Sequence, residues 1–316
     1  MTRRYAMALV AVSAALVALA SACGGSGNVV VEPVQETPDV QALPDWVAAR
    51  ISNEQSIHGV LFGTADHGVG PNRISFVVVR DDNSIVQAPK GDVYFGLKTW
   101  KKAVEAEATL VPLGPHTHPG RTEPHDHPGG TDIYVTTVRF PEPGEYWFVV
   151  EPEGQGLPGA GLLEVAKRQV TPAVGSRAIP SDNPTLADAP AKVITTARPP
   201  DTELLRYSVA DSLRAHVPFV VVFATPALCQ SRVCGPTVDA VDTIRKRLVG
   251  KGVRFIHIEV YKDNRVASGF NRWLREWRLP TEPWVFLVDG KGLIRAKFEG
   301  AVSVDELEAA VREHLL

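Results

Sequence analysis

Phe219-Val-Val-Val-Phe223-Ala-Thr-Pro-Ala-Leu-Cys229-Gln-Ser-Arg-Val-Cys234-Gly-Pro236 runs from an apolar segment into a loop holding two cysteines. Five consecutive apolar residues bounded by turn formers suit a strand buried on both faces. Pro236 favours the first helical position, which places Gly235 near the cap and Cys234 just outside a following helix. The apolar residues Val238, Val241, Ile244 and Leu248 then mark one face of that helix. Five steps along an α-helix rise about 7.5 Å, whereas a disulfide needs Cα atoms within about 7 Å. The two cysteines can therefore bond only if the segment between them curls back as a loop. In that geometry Cys234 faces the positive end of the helix dipole with Arg232 nearby, so it is expected to attack as thiolate, with Cys229 resolving.

Outward from this stretch the pattern continues. A strand is predicted over 253–261 and a helix carrying Val266, Phe270, Leu274 and Trp277. Trp284–Val288 and Leu293–Phe298 flank the turn Asp289-Gly-Lys-Gly292, and Ser303-Val-Asp-Glu306 is a capping box for a last helix. With a short helix near Ser208, the order is α-β-α-β-α-β-β-α. Residues 203–316 resemble a thioredoxin-like domain, an α/β fold. On this resemblance Pro283, in Pro280-Thr-Glu-Pro283-Trp284, is the cis-proline that faces the thiols. The chain departs from the family in its spacing: four residues separate its cysteines rather than two, and Thr237 stands where the second cysteine of Cys-Gly-Pro-Cys is expected. Sco-type copper chaperones are also similar, but their cysteines lie closer together and a distant His completes their site. His257, inside a strand, reads as packed. Peroxiredoxins place a Thr three residues before the reactive Cys; Thr225 lies four before Cys229.

Upstream, residues 46–168 alternate as short strands with turns and no long helical pattern, which predicts an antiparallel sandwich. Phe140-Pro-Glu-Pro-Gly144-Glu-Tyr146 places a tyrosine just after a Pro-Gly corner. This is similar to the strand-end tyrosine of immunoglobulin-like domains, and more narrowly to exported YtkA/FixH-type domains. Between the predicted strands, Pro115-His116-Thr-His118 and His125-Asp-His127 collect four of the chain's 9 histidines. Imidazoles so grouped suit Cu(II), Zn(II) or Ni(II), and copper is the candidate cofactor, since the YtkA/FixH resemblance implies copper handling. The same loop also reads as a solvated connection whose Pro and Gly keep sheet edges from pairing. Residues 169–202, rich in Pro, Ala and Asp, read as an interdomain linker.

The N-terminus supplies an address. Arg3-Arg4, an apolar run over 6–22 and then Cys23 resemble the lipobox of bacterial lipoproteins, in which the cysteine is acylated. Residues 1–23 are thus expected to be a signal peptide and 24–45 a tether, placing the rest on the extracytoplasmic face of the membrane. Cys229 and Cys234 then remain as one even pair in an oxidising compartment. The 316 residues carry 33 Lys+Arg against 36 Asp+Glu, a balance that offers nothing to nucleic acid. The expected function is thiol–disulfide exchange with exported protein partners. The alternative is copper binding or delivery through the histidine loop and the thiols to a metal-receiving protein.

Overall fold

Alternation of buried and exposed side chains builds the first half of the molecule. The computed structural model describes residues 44–51, 57–113, 132–229 and 233–316, all within one unit, Pro38–Leu316. Seven strands are β1 (His58–Phe62), β2 (Gly70–Val79), β3 (Lys90–Leu97), β4 (Val104–Val111), β5 (Ile133–Phe140), β6 (Gly144–Pro152) and β7 (Gly159–Val165). Their inward side chains, among them Phe76, Phe95, Tyr134, Phe140 and Phe148, form one aromatic core. The corner tyrosine Tyr146 is fully buried, and its hydroxyl donates to the carbonyl of Glu142. A short helix, α1 (Asp45–Ile51), covers the outside by setting Trp46, Val47 and Ile51 against Trp147 and Val149.

The strand order β1-β2-β5-β4-β3-β6-β7 closes on itself. β1 pairs antiparallel with β2 and parallel with β7, where His58 lies opposite Gly159. A Cβ on Gly159 would stand 2.9 Å from Val78 Cγ1, so glycine at that position lets the closing strands approach.

The second half holds a four-stranded sheet. Its strands are β8 (Phe219–Phe223), β9 (Arg254–Ile258), β10 (Trp284–Val288) and β11 (Ile294–Glu299), in the order β11-β10-β8-β9. Only β8 and β9 are parallel. Two helices lie on one face, α4 (Cys234–Arg247) and α6 (Val304–Leu315). The stripe Val238, Val241 and Ile244 packs with Leu307 and Val311 onto Val220, Val222, Val285 and Leu287. Each such burial is worth about 2 kcal/mol. The remaining helices are short: α2 (Ala191–Ile194), α3 (Val209–Arg214) and α5 (Arg272–Glu276). Ser303 caps α6 by accepting from the Glu306 amide, as the sequence predicts.

These observations correct the expected fold class of an immunoglobulin-like sandwich followed by an α/β thioredoxin-like fold. A sandwich keeps two sheets with separate edges, and here the β1–β7 pairing removes them. The described chain is mostly β, a closed seven-stranded barrel plus a second sheet, and only α4 and α6 exceed seven residues.

Residues 169–202, read as a linker, are fastened along their length. The Asp66 carboxylate accepts from the amides of Val170 (2.7 Å) and Thr171 (3.1 Å) and from the Thr171 hydroxyl (2.6 Å). Gly175, Ser176 and Ala178 hydrogen-bond along the start of β11. The barrel meets the sheet through the same region. Glu299 accepts from the Asp66 amide, and Arg73 on β2 holds Glu306 through two bonds (2.6 and 2.8 Å) while donating to the Ala301 carbonyl.

Candidate functional site: the thiol pair and its carboxyl neighbour

Past the end of β8 the chain turns at Thr225, where Leu228 N donates to the Thr225 carbonyl. Thr196 fixes this turn, since its hydroxyl accepts from the Ala227 amide. Thr196 is itself held by Glu259 through its amide and hydroxyl. Cys229 follows, half-buried. Cys234 is the first residue of α4 rather than one residue before it, and it is fully buried in the core beneath the helix. No disulfide joins the two.

On the neighbouring strand the Glu282–Pro283 peptide is cis, and the Pro283 carbonyl accepts from the Gly300 amide. Glu282 lies beside the thiols. The Cys229 and Cys234 sulfurs and a Glu282 carboxylate oxygen all lie within 4.8 Å of one another. Cys234 Sγ donates to Glu282 Oε2 at 3.8 Å, and the Tyr261 hydroxyl donates to Glu282 Oε1 at 3.3 Å.

Burial dominates the electrostatics. It pushes the Cys234 thiol well above its ordinary value, and the adjoining Cys229 and Glu282 push the same way. Burial, followed by the charge of Cys229, pushes Glu282 up to about 8. Tyr261 is raised by its burial and by Glu282. The expectation that Cys234 is the readily ionised nucleophile is therefore corrected. A helix dipole contributes about 0.3–1 kcal/mol, while desolvation of a fully buried group shifts its titration by up to about 3–5 units. Burial wins.

The structure thus brings Cys229, Cys234 and Pro283 into one place and adds Glu282 and Tyr261, which the sequence reading missed. The signal for Glu282 was its position, an acid directly before the proline and the wholly apolar strand Trp284–Val288. His257 is packed as expected, hydrogen-bonded to the Ala224 carbonyl at 2.9 Å. Cys23 and the four histidines His116, His118, His125 and His127 lie outside the described residues. Leu113 and Ile133, on either side of the histidine stretch, share an apolar cluster with Val233, the neighbour of Cys234. A groove of about 440 Å³, lined in part by Pro226, Gly235, Val238 and Arg198, runs beside the head of α4.

No family model matches this chain. No curated protein matches it either. Among solved structures, a thioredoxin-family thiol:disulfide interchange protein from Chlorobium tepidum TLS is similar at 17% identity. That likeness covers 34% of this chain and 84% of the other, with a TM-score of 0.27. The Lin-41 filamin domain is similar at 9% identity over 35% of this chain and 92% of that one, with a TM-score of 0.22. Overlaps this loose fix neither fold nor function.

Proposed function

We propose that this protein carries out thiol–disulfide exchange with exported proteins through Cys229 and Cys234. The observation that carries the reading is the pair itself: two sulfurs within 4.8 Å, no disulfide between them, one half-buried and the other sealed at the head of a helix. The greater exposure of Cys229 supports the following division of roles. The Cys229 thiolate attacks a partner disulfide, a bond forms between Cys229 and one partner sulfur, and the other partner sulfur leaves and is protonated. Cys234, losing its proton, then attacks Cys229. The partner leaves as a dithiol, and the Cys229–Cys234 disulfide remains. The groove beside α4, lined in part by Pro226 and Gly235, offers the partner chain a surface at the head of that helix. The proposal includes acylation at Cys23, which would hold the pair on the outer face of the membrane, where disulfides persist.

The test is reduction of insulin disulfides by the reduced protein, with thiol mapping by a small alkylating reagent. Cys229 is expected to be alkylated first, Cys234 only slowly, and Cys229→Ser to abolish insulin reduction. An inactive wild type, or full activity in Cys229→Ser, refutes the reading. One observation favours copper delivery as the second reading: the cluster that joins Leu113 and Ile133 to Val233 sets the described borders of the histidine stretch beside the thiols.

A further inference from the structure

We infer that Cys229, Cys234 and Glu282 form a three-donor site for a thiophilic divalent cation of the Zn(II) class, available while the two cysteines are reduced. Three elements converge here: the loop after β8, the first residue of α4 five positions on, and, 48 positions beyond Cys234, the residue that leads into Pro283. Donors sharing one tetrahedral ion at ordinary zinc bond lengths lie about 3.5–3.8 Å apart. Cys234 Sγ and Glu282 Oε2 are already at 3.8 Å, and all three donor atoms lie within 4.8 Å, so small side-chain rotations complete the set.

The surroundings fit an ion as well. Tyr261 donates to the Glu282 oxygen that does not face Cys234, the kind of outer hydrogen bond that aims a ligating carboxylate. Half-buried Cys229 gives the entry path and leaves a fourth position for water. The donor chemistry selects the metal. Two thiolates with one carboxylate are too soft and too few for Mg(II) or Ca(II), which take six or more oxygens. Cu(I) is satisfied by soft sulfur ligands and would leave Glu282 idle.

The site goes beyond the exchange reaction and is tested apart from it. The reduced, metal-free full chain is titrated with Co(II), and the sulfur-to-cobalt charge-transfer absorption is followed. This signal is blind to histidine-bound cobalt. Zn(II) is then added to displace the cobalt. One equivalent showing that absorption is expected. Its loss in Cys229→Ser and in Cys234→Ser, and a weakening of at least about 100-fold in Glu282→Gln, complete the expected result. Oxidation of the unsubstituted protein with diamide must also abolish binding, a check that needs no variant to fold. Absence of the charge-transfer absorption, unchanged affinity in Glu282→Gln, or binding of Cu(I) alone overturns the inference. Insulin reduction measured with a chelator present reports on exchange independently, so either activity can fail without the other.

Discussion

Removing the Asp66 carboxylate tests whether the barrel and the second sheet are held together as described. In Asp66→Ala three hydrogen bonds to a charged acceptor disappear, from the Val170 amide, the Thr171 amide and the Thr171 hydroxyl. Bonds to charged groups contribute about 1.5–3 kcal/mol each, and the Thr171 amide loses its acceptor in a buried setting, the Val170 amide in a half-buried one. A loss of about 4–5 kcal/mol follows at the low end of that range. Lys297, 3.8 Å from the carboxylate, also loses its compensating charge. Asp66→Asn keeps the shape, and one amide oxygen still serves Thr171, but its NH2 group then faces the Val170 donor. About 2 kcal/mol is expected. For a unit of this size 1 kcal/mol moves the melting temperature by about 2–4 °C, so the Ala variant should melt about 10 °C lower and the Asn variant about 5 °C lower. Scanning calorimetry gives the melting temperatures, and limited trypsin digestion should show new cleavage near Arg168 and Arg177 in the Ala variant. Equal and negligible shifts in both variants, with no new cleavage, refute the account of residues 169–202 as a fastened segment.

Other outcomes follow from single features. Burial lowers His67 from 6.5 to about 4, while its ring lies within hydrogen-bonding distance of the Thr64 hydroxyl. The unfolded chain takes up a proton there that the folded chain refuses. Stability is therefore full above pH 6.5 and falls by about 3 kcal/mol as pH drops toward 4. Urea titrations at pH 7 and 4.5 should differ in wild type, and His67→Gln should flatten the difference. Gly300 has φ +71° and would place a Cβ 2.3 Å from the Gly63 carbonyl, so Gly300→Ala should cost about 3 kcal/mol by denaturant midpoint. Cys23→Ser should shift the protein from the membrane fraction to the soluble fraction of the producing cells; unchanged membrane retention counts against acylation.

Much of the site was legible in sequence, and the reasons it stopped short are physical. The run Phe219–Phe223 announces a strand buried on both faces, and all five residues are buried. Gly235-Pro236 announces the head of α4 to within one residue. Depth is another matter. Spacing says where along the chain Cys234 sits but not how much protein lies above it, so its burial and raised titration could not be read. Glu282 contacts Cys234 across 48 positions, and only the sheet brings them together. Alternation is identical in a sandwich and a barrel, so the β1–β7 pairing that separates them left no mark beyond the closely packed Gly159. The Pro, Ala and Asp of residues 169–202 suggested a free linker. The Asp and Ser in such stretches are equally good at satisfying backbone amides, as Asp188 does for Thr185.

The segment laid along β11 has a consequence for how copies of this chain meet one another. Gly175, Ser176 and Ala178 occupy hydrogen-bonding positions that a strand border would otherwise offer to strangers. The barrel, being closed, has no such border to offer. Copies that meet at high concentration are thereby denied two routes to zipping together into fibrils.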